Sequence, residues 1–206
     1  TLGQWWTPGV VGVLDELAGG AWLAADDESL AVLVNREGTP DVPVPTSRGE
    51  LVLDAVAGRA LPQPLTTLGF NLIRATSRGV DVTAWTGSGP PRVVALAPGT
   101  HMVSHSDVDD PSNPRVARWL DDFAAASTAD KPDGHWWEPW VDVLRRTTEL
   151  APTDPQAIIC DNRPHGYPTL SLLLVVASIG PEGSALAAST LTEPGRWNTP
   201  VFEPAR

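Results

Sequence analysis

Thr1, the first residue of the chain, is a candidate catalytic residue at this position. An N-terminal Thr can act as a nucleophile, with its own α-amine as the base. A nucleophile of this kind lies at the start of a central strand, whereas the residues after Thr1 read Leu-Gly-Gln-Trp-Trp-Thr-Pro-Gly, which is not a strand pattern. We therefore favour a trimmed chain start over a processed Thr nucleophile.

Two histidines, His101 and His105, are four residues apart. On a helix this spacing can bind a metal ion, but a Glu would then follow the first His. Residues 100–104 instead predict a strand, in which four residues span about 13 Å. The nearby acidic residues Asp107, Asp109 and Asp110 lack the glycine of a calcium loop. We predict no metal site here and interpret the acidic residues as a solvated turn.

Asparagine side chains are the candidates for stabilising a developing negative charge. Asn35 closes a predicted strand over residues 30–35. Its amide could donate to an oxyanion or cap a turn, and the residues leave these alternatives open. Asn71 lies inside a predicted strand over residues 70–75, and we interpret it as a structural residue that satisfies buried backbone groups.

Aromatic side chains concentrate at residues 135–140, His-Trp-Trp-Glu-Pro-Trp, in a chain with nine Trp. They could form a stacking wall for a flat or apolar ligand, such as a porphyrin or an acyl chain, or anchor a helix, which is the interpretation we favour. Cys160 lies in an apolar segment and is interpreted as a core residue. The chain contains no Gly-x-Ser-x-Gly elbow, P-loop or dinucleotide fingerprint.

Composition excludes several classes of partner. The formal net charge of −11 and pI of about 4.6 argue against binding to nucleic acid or to anionic membranes. A single Cys cannot form a disulfide within the chain, which fits a reducing, cytoplasmic compartment. No secretory signal opens the chain. The longest apolar run, residues 172–177, is far below the ~20 residues of a membrane span.

Strands must position most of these residues. The alternation of apolar residues predicts strands at 20–25, 30–35, 70–75, 80–86, 92–97, 100–104, 157–160, 169–179 and 184–191. Residues 2–13 are predicted to form a covering loop, and residues 180–183 a hairpin turn. The apolar run 170–179 indicates a strand covered on both faces. The pattern therefore predicts two stacked antiparallel sheets.

Three helices are predicted. The first begins at a capping box, Ser47-Arg48-Gly49-Glu50, and ends at Gly58. The second begins at Asn113-Pro114, runs to about residue 126 and buries Val116, Leu120 and Phe123. The third covers residues 138–149.

Four short blocks occur in a fixed order along the chain. They are Ala18-Gly19-Gly20-Ala21-Trp22-Leu23, Ser47-Arg48-Gly49-Glu50-Leu51, Gly69-Phe70-Asn71-Leu72 and Pro98-Gly99-Thr100-His101, which runs on to Ser104. Together they resemble the NRDE, or transport and Golgi organisation, family. Trp5-Trp6 is similar to the family's Trp loop, and Val34-Asn35 takes the place of its Thr-Asn pair.

The resemblance implies a four-layer α-β-β-α sandwich like that of N-terminal-nucleophile hydrolases. It implies one domain over residues 1–206 that lacks the first one or two strands, because the family's Met-Cys start and Asn-Arg-Asp-Glu block are not in this sequence. Val103-Ser104-His105 stands where the family has Leu-Ser-Asn, and Gly166-Tyr167-Pro168 where it has Gly-Thr-Arg. His105 can donate a hydrogen bond, but Pro168 cannot replace a guanidinium.

Three functions follow from the resemblance. We favour a protein that binds or traffics an apolar or haem-like small molecule, with haem as a candidate ligand. Its predicted ligand-binding residues are Trp22, Asn35, Asn71, Ser104 and His105. The alternative is a Cys-dependent amide or ester hydrolase whose nucleophile precedes residue 1, with Asn35 and His105 as oxyanion donors. A third is a structural role in secretory organisation. The ligand and the oligomeric state stay open.

Overall fold

A computed structural model of the chain describes residues 2–16, 19–126, 135–166 and 170–205. Ten strands and three α-helices lie within these ranges. The strands form two antiparallel sheets, one of seven strands and one of three. The predicted α+β class with two antiparallel sheets is confirmed in this form. Within the same ranges, no helix combines the length and the apolar character that crossing a membrane requires.

The larger sheet is a meander whose strands are hydrogen-bonded in chain order. Its strands are β1 (Leu2–Gly3), β2 (Val11–Leu14), β3 (Ala21–Ala25), β4 (Ser29–Asn35), β5 (Phe70–Thr76), β6 (Gly79–Trp85) and β7 (Arg92–Ala95). The prediction of a covering loop over residues 2–13 is wrong. Leu2 and Gly3 pair with Val13 and Gly12, so this segment is an edge hairpin that extends the sheet.

The smaller sheet contains β8 (Leu173–Gly180), β9 (Gly183–Thr190) and β10 (Glu203–Pro204), in the order β10-β9-β8. Gly180 pairs with Gly183, which confirms the predicted hairpin turn. Apolar side chains of both sheets share one core cluster, which includes Leu23, Leu30, Val175, Ala177 and Leu186. The two sheets therefore pack face to face. No residue of β8 is fully buried and Ser178 is exposed, so the predicted cover on both faces of this strand is incomplete.

Two predicted strands are not formed. Residues 100–104 lie in a turn-rich segment whose conformation is fixed by two side-chain hydrogen bonds. Asn71 donates to the carbonyl oxygen of Ser104, and Asp109 accepts from the amide of Met102. Residues 157–160 are also irregular, and only an isolated bridge between Asp161 and Leu170 follows them. Short apolar runs of this kind do not reveal from their composition whether a partner strand is available.

Helix α1 (Gly49–Val56) packs on the face of the larger sheet opposite the smaller sheet. Its apolar residues share a cluster with Phe70 and Trp85. Gly58 ends the helix at φ +67°, and the amides of Gly58 and Arg59 bond the carbonyls of Ala55 and Asp54, as in a Schellman motif. The predicted reciprocal capping box is wrong, because Arg48 occupies the N-cap and the Ser47 hydroxyl accepts only from the Gly49 amide, at 3.2 Å.

Helices α2 (Pro114–Ala125) and α3 (Glu138–Thr147) pack on each other. Asn113 caps α2 as predicted, accepting from the amides of Arg115 and Val116. The buried residue of its middle turn is Trp119, which packs with Phe123 and Val143, whereas the predicted Leu120 is only half-buried. The Trp119 indole donates to the carbonyl of Gln156 at 2.8 Å.

The aromatic run at the start of α3 makes mostly internal contacts. The Trp140 indole donates to the carbonyl of Phe123 at 3.1 Å. Trp136 contacts Trp140 edge-on, and Trp137 lies 4.3 Å from Phe202, measured between ring centroids. These contacts fit the interpretation of the run as an anchor.

Candidate functional site

The first two of the four sequence blocks meet backbone to backbone. A Cβ atom added to Gly20 would lie 2.5 Å from the Cα of Gly49, and one added to Gly49 would lie 2.7 Å from the Cα of Gly20. Real side chains do not approach so closely. Both glycines are therefore required for α1 to pack against the start of β3.

The second block contacts the third through a side chain. Arg48 donates from Nη1 to the carbonyl oxygen of Gly69 at 2.9 Å. The same oxygen accepts from the amide of Arg36 at 3.1 Å. Gly69 has no room for a side chain either, because its Cβ would lie 2.7 Å from the carbonyl oxygen of Glu37.

The third block contacts the fourth through Asn71, which is 1% exposed. Its Nδ2 donates to the carbonyl oxygens of Ser104 and Ser106, each at 2.7 Å. Its Oδ1 accepts from Nη1 of Arg36 at 3.3 Å. Both hydrogens of the Asn71 side-chain amide are thus used in hydrogen bonds. Asn71 therefore satisfies buried backbone groups, as its position inside a predicted strand indicated.

Further polar side chains complete this group. Nδ2 of Asn113 lies 2.9 Å from Oγ of Ser104 and 3.2 Å from Oγ of Ser106. Asp107 pairs with Arg36 at 2.6 Å and with Arg92 at 2.8 Å, and the hydrogen bond from Arg36 is the largest cause that lowers the pKa of Asp107. We call Arg36, Asn71, Ser104, Ser106, Asp107 and Asn113 the Asn71 cluster.

His105 lies at the margin of the Asn71 cluster. It is exposed, and its Nε2 is 3.5 Å from Nδ2 of Asn113. The structure thus brings Asn71, Ser104 and His105 into one region, on the face of the larger sheet that carries the smaller sheet.

Asn35 is not part of that region. It pairs in register with Phe70, whose side chain packs with α1, whereas Asn71 pairs with Val34 and lies on the opposite face. Its neighbour Arg36 reaches Asn71 instead. The sequence analysis did not single out Arg36, because its contact with Asn71 joins two segments that are far apart in the chain.

Trp22 lies in a different place, at a cavity of about 270 Å³ beside the start of α1. Its apolar walls include Trp22, Leu33 and Leu68, and its polar lining includes Arg48 and Asp15. Burial lowers the pKa of Arg48. Asp15 is engaged in a polar interaction, and Arg48 has no carboxylate partner within the described ranges. We call this the Trp22–Arg48 cavity.

A larger and more open groove of about 530 Å³ lies elsewhere on α1. Trp6, Leu53 and Val56 form its apolar side, and the acidic residues Asp26, Asp27 and Glu28 line its polar side. Arg59 lines it too, but pairs with Asp54 at 2.6 Å. This groove is therefore electrostatically unfavourable for an acidic ligand.

The two histidines and the cysteine singled out in the sequence do not form a shared site. His101 contacts Asp109 and the carbonyl of Ala97, not His105. Within the described part of the chain, no group of three His, Cys, Asp or Glu side chains could hold a metal ion. Cys160 is buried, with its Sγ 3.6 Å from Oγ of Ser171. Thr1, Tyr167 and Pro168 lie outside the described residues.

Comparison with known proteins adds one finding to this geometry. No curated protein matches the chain. The family model described as Transport and Golgi organisation 2 matches residues 2–176, a span that holds all four blocks and the contacts that join them. The chain belongs to the Transport and Golgi organisation 2 family.

Proposed function

We propose that this protein is a cytoplasmic carrier that binds an apolar or haem-like small molecule with an acidic group, in the Trp22–Arg48 cavity. The observation that carries the proposal is the Arg48 guanidinium. It is partly desolvated and lacks a carboxylate partner within the described ranges, and it lines a cavity with the apolar walls of Trp22, Leu33 and Leu68. Membership of a family named for transport and Golgi organisation supports a trafficking role.

The chemistry of the lining favours an amphipathic acid. Apolar ligand surface placed against Trp22 and Leu33 gains about 25 cal/mol for each Å² removed from water. A guanidinium presents five N–H donors in a planar fork that matches a carboxylate. Arg48 uses one nitrogen on Gly69, which fixes the side chain, and the others can bind the ligand. Because burial has already removed part of its water, the guanidinium gains more from an anionic partner than an exposed one would.

The size of the cavity limits how a ligand fits. About 270 Å³ lies just below the ~300–1,000 Å³ typical of sites for drug-sized ligands. An acyl chain with its carboxylate on Arg48 fits this volume. A porphyrin would place one propionate edge inside and leave much of its ring against the exposed faces of Trp22 and Leu68, which are 37% and 38% exposed.

Titration of the protein with laurate, methyl laurate and haemin tests this proposal, with tryptophan fluorescence and the haem Soret band as readouts. Arg48→Gln is expected to weaken laurate binding by roughly 10- to 100-fold, as for a lost charge-assisted hydrogen bond, and to leave methyl laurate unchanged. Trp22→Ala is expected to weaken both.

Arg59→Gln is the matched control, because Arg59 lines the other groove and pairs with Asp54. It is expected to leave laurate binding unchanged. The proposal fails if none of the three probes binds, or if Arg48→Gln and Arg59→Gln bind laurate equally well.

A Cys-dependent amide or ester hydrolase, with its nucleophile before residue 1, is the second candidate function. The observation in its favour is that Ser104, His105 and Asn113 converge beside Asn71. His105 is the remaining candidate donor there, since the Asn71 amide is committed and Asn35 lies on the other face. Labelling of the native protein by a cysteine-reactive electrophile at an N-terminal Cys, with turnover of an ester substrate, would establish this function, and absence of labelling would exclude it.

A further inference from the structure

We propose that His101 and Asp109 form a pH-dependent clasp in the segment 97–109, which contributes Ser104, Ser106 and Asp107 to the Asn71 cluster. The clasp holds the turn between residues 101 and 109 closed while the imidazole is protonated and releases it when the imidazole is neutral. The clasp is independent of the Trp22–Arg48 cavity, which lies on the other side of the larger sheet.

Both ring nitrogens of His101 face hydrogen-bond acceptors. Nδ1 lies 2.5 Å from Oδ2 of Asp109, and Nε2 lies 2.8 Å from the carbonyl oxygen of Ala97. A carboxylate and a carbonyl cannot donate, so only the doubly protonated ring satisfies both contacts. In a neutral ring, the nitrogen without a proton would direct its lone pair at an acceptor oxygen. The contact with either Asp109 or Ala97 would then break.

Asp109 passes the effect of this contact to the backbone. Its Oδ1 accepts from the amide of Met102 at 2.7 Å, and its own amide donates to the carbonyl of Met102 at 3.0 Å. Asp109 has a φ of +54°, a left-handed conformation that costs energy for a residue with a side chain. The contacts with His101 and Met102 offset that cost, so loss of the His101 contact weakens the whole turn.

The other acidic side chains of the segment interact with groups other than His101. Asp107 pairs with Arg36 from β4 and Arg92 from β7, and Asp110 accepts from the amide and hydroxyl of Ser112. Asp109 is therefore the charged group that faces His101 among the described residues.

The direction of the pH effect follows from these contacts. The hydrogen bond that the His101 ring donates to Asp109 raises the pKa of His101 most, the bond to the Ala97 carbonyl raises it further, and burial opposes both. Because the folded-state pKa is raised, the clasp contributes fully below the ordinary His pKa of about 6.5 and is lost as the pH rises through the raised value. The segment is thus closed in mildly acidic solution and opens in alkaline solution.

Amide exchange measured by NMR on the whole chain tests the clasp. Protection factors, which remove the intrinsic pH dependence of exchange, are followed for Met102 and Asp109 from about pH 5 to about pH 9. Both are expected to fall by about tenfold or more as the His101 ring signals titrate. His101→Gln is expected to show low protection at every pH, and Asp109→Asn to lower the pKa of His101.

His165→Gln is the matched control, because His165 also contacts a carbonyl, that of Thr153, but in another loop. It is expected to keep the pH dependence at Met102 and Asp109. The proposal is overturned if wild-type protection is flat across the range, or if His101→Gln keeps the wild-type pH dependence while its circular dichroism shows a folded chain.

Discussion

Asn71 shows how much a single residue contributes to the arrangement of the polar region. Its position inside a predicted strand was enough to predict a structural role, because a buried amide needs partners. The sequence could not say which carbonyls it binds, since those of Ser104 and Ser106 lie more than thirty positions away. Arg36 was missed for the same reason, because its contact with Asn71 depends on the register between β4 and β5.

Asn71→Ala is expected to destabilise the protein by about 1–3 kcal/mol, because it leaves the carbonyls of Ser104 and Ser106 without their donor. Urea denaturation followed by circular dichroism measures this change. Asn35→Ala is the matched control at the exposed end of β4, and is expected to change stability by less than about 0.5 kcal/mol. Equal effects of the two substitutions would contradict the roles assigned here.

The packing of α1 on β3 is the element-level contact that forms the Trp22–Arg48 cavity. Local patterns predicted both elements and the end of α1 at Gly58, because a helix stop depends on nearby residues. They did not predict that Gly20 and Gly49 touch, which depends on the approach of two distant segments. The edge hairpin of β1 and β2 was missed for a similar reason, since its Gly-, Pro- and Trp-rich sequence becomes a strand pair only against β3.

Gly20→Ala is expected to destabilise the protein by about 1–3 kcal/mol, because the new methyl group would press on the backbone of Gly49 and force α1 away from β3. It is also expected to weaken laurate binding, since Trp22 and Arg48 would move apart. Thermal unfolding and fluorescence titration measure the two effects.

Gly180→Ala serves as the control for this substitution. Nothing lies within 4 Å of the Cβ that it would add, and the Gly180 backbone is not left-handed. A Gly20→Ala variant as stable as Gly180→Ala, with unchanged laurate binding, would show that the close contact does not determine the cavity.

At the scale of the whole molecule, the larger sheet separates two regions. The Trp22–Arg48 cavity lies on the side of α1, and the Asn71 cluster lies on the side of the smaller sheet. The sequence predicted two antiparallel sheets, because apolar alternation and turns are local. It grouped Trp22 and Asn35 with Asn71, Ser104 and His105, because the face on which a strand residue lies is known only once the register is known.

Hydrogen exchange of the whole chain, compared with and without saturating laurate, tests most directly on which side a ligand binds. We expect slower exchange in peptides that cover residues 21–23 and 47–51, and no change in those that cover residues 102–109. Slower exchange confined to residues 69–72 and 102–109, with no slowing at residues 47–51, would place the ligand at the Asn71 cluster and would contradict binding in the Trp22–Arg48 cavity.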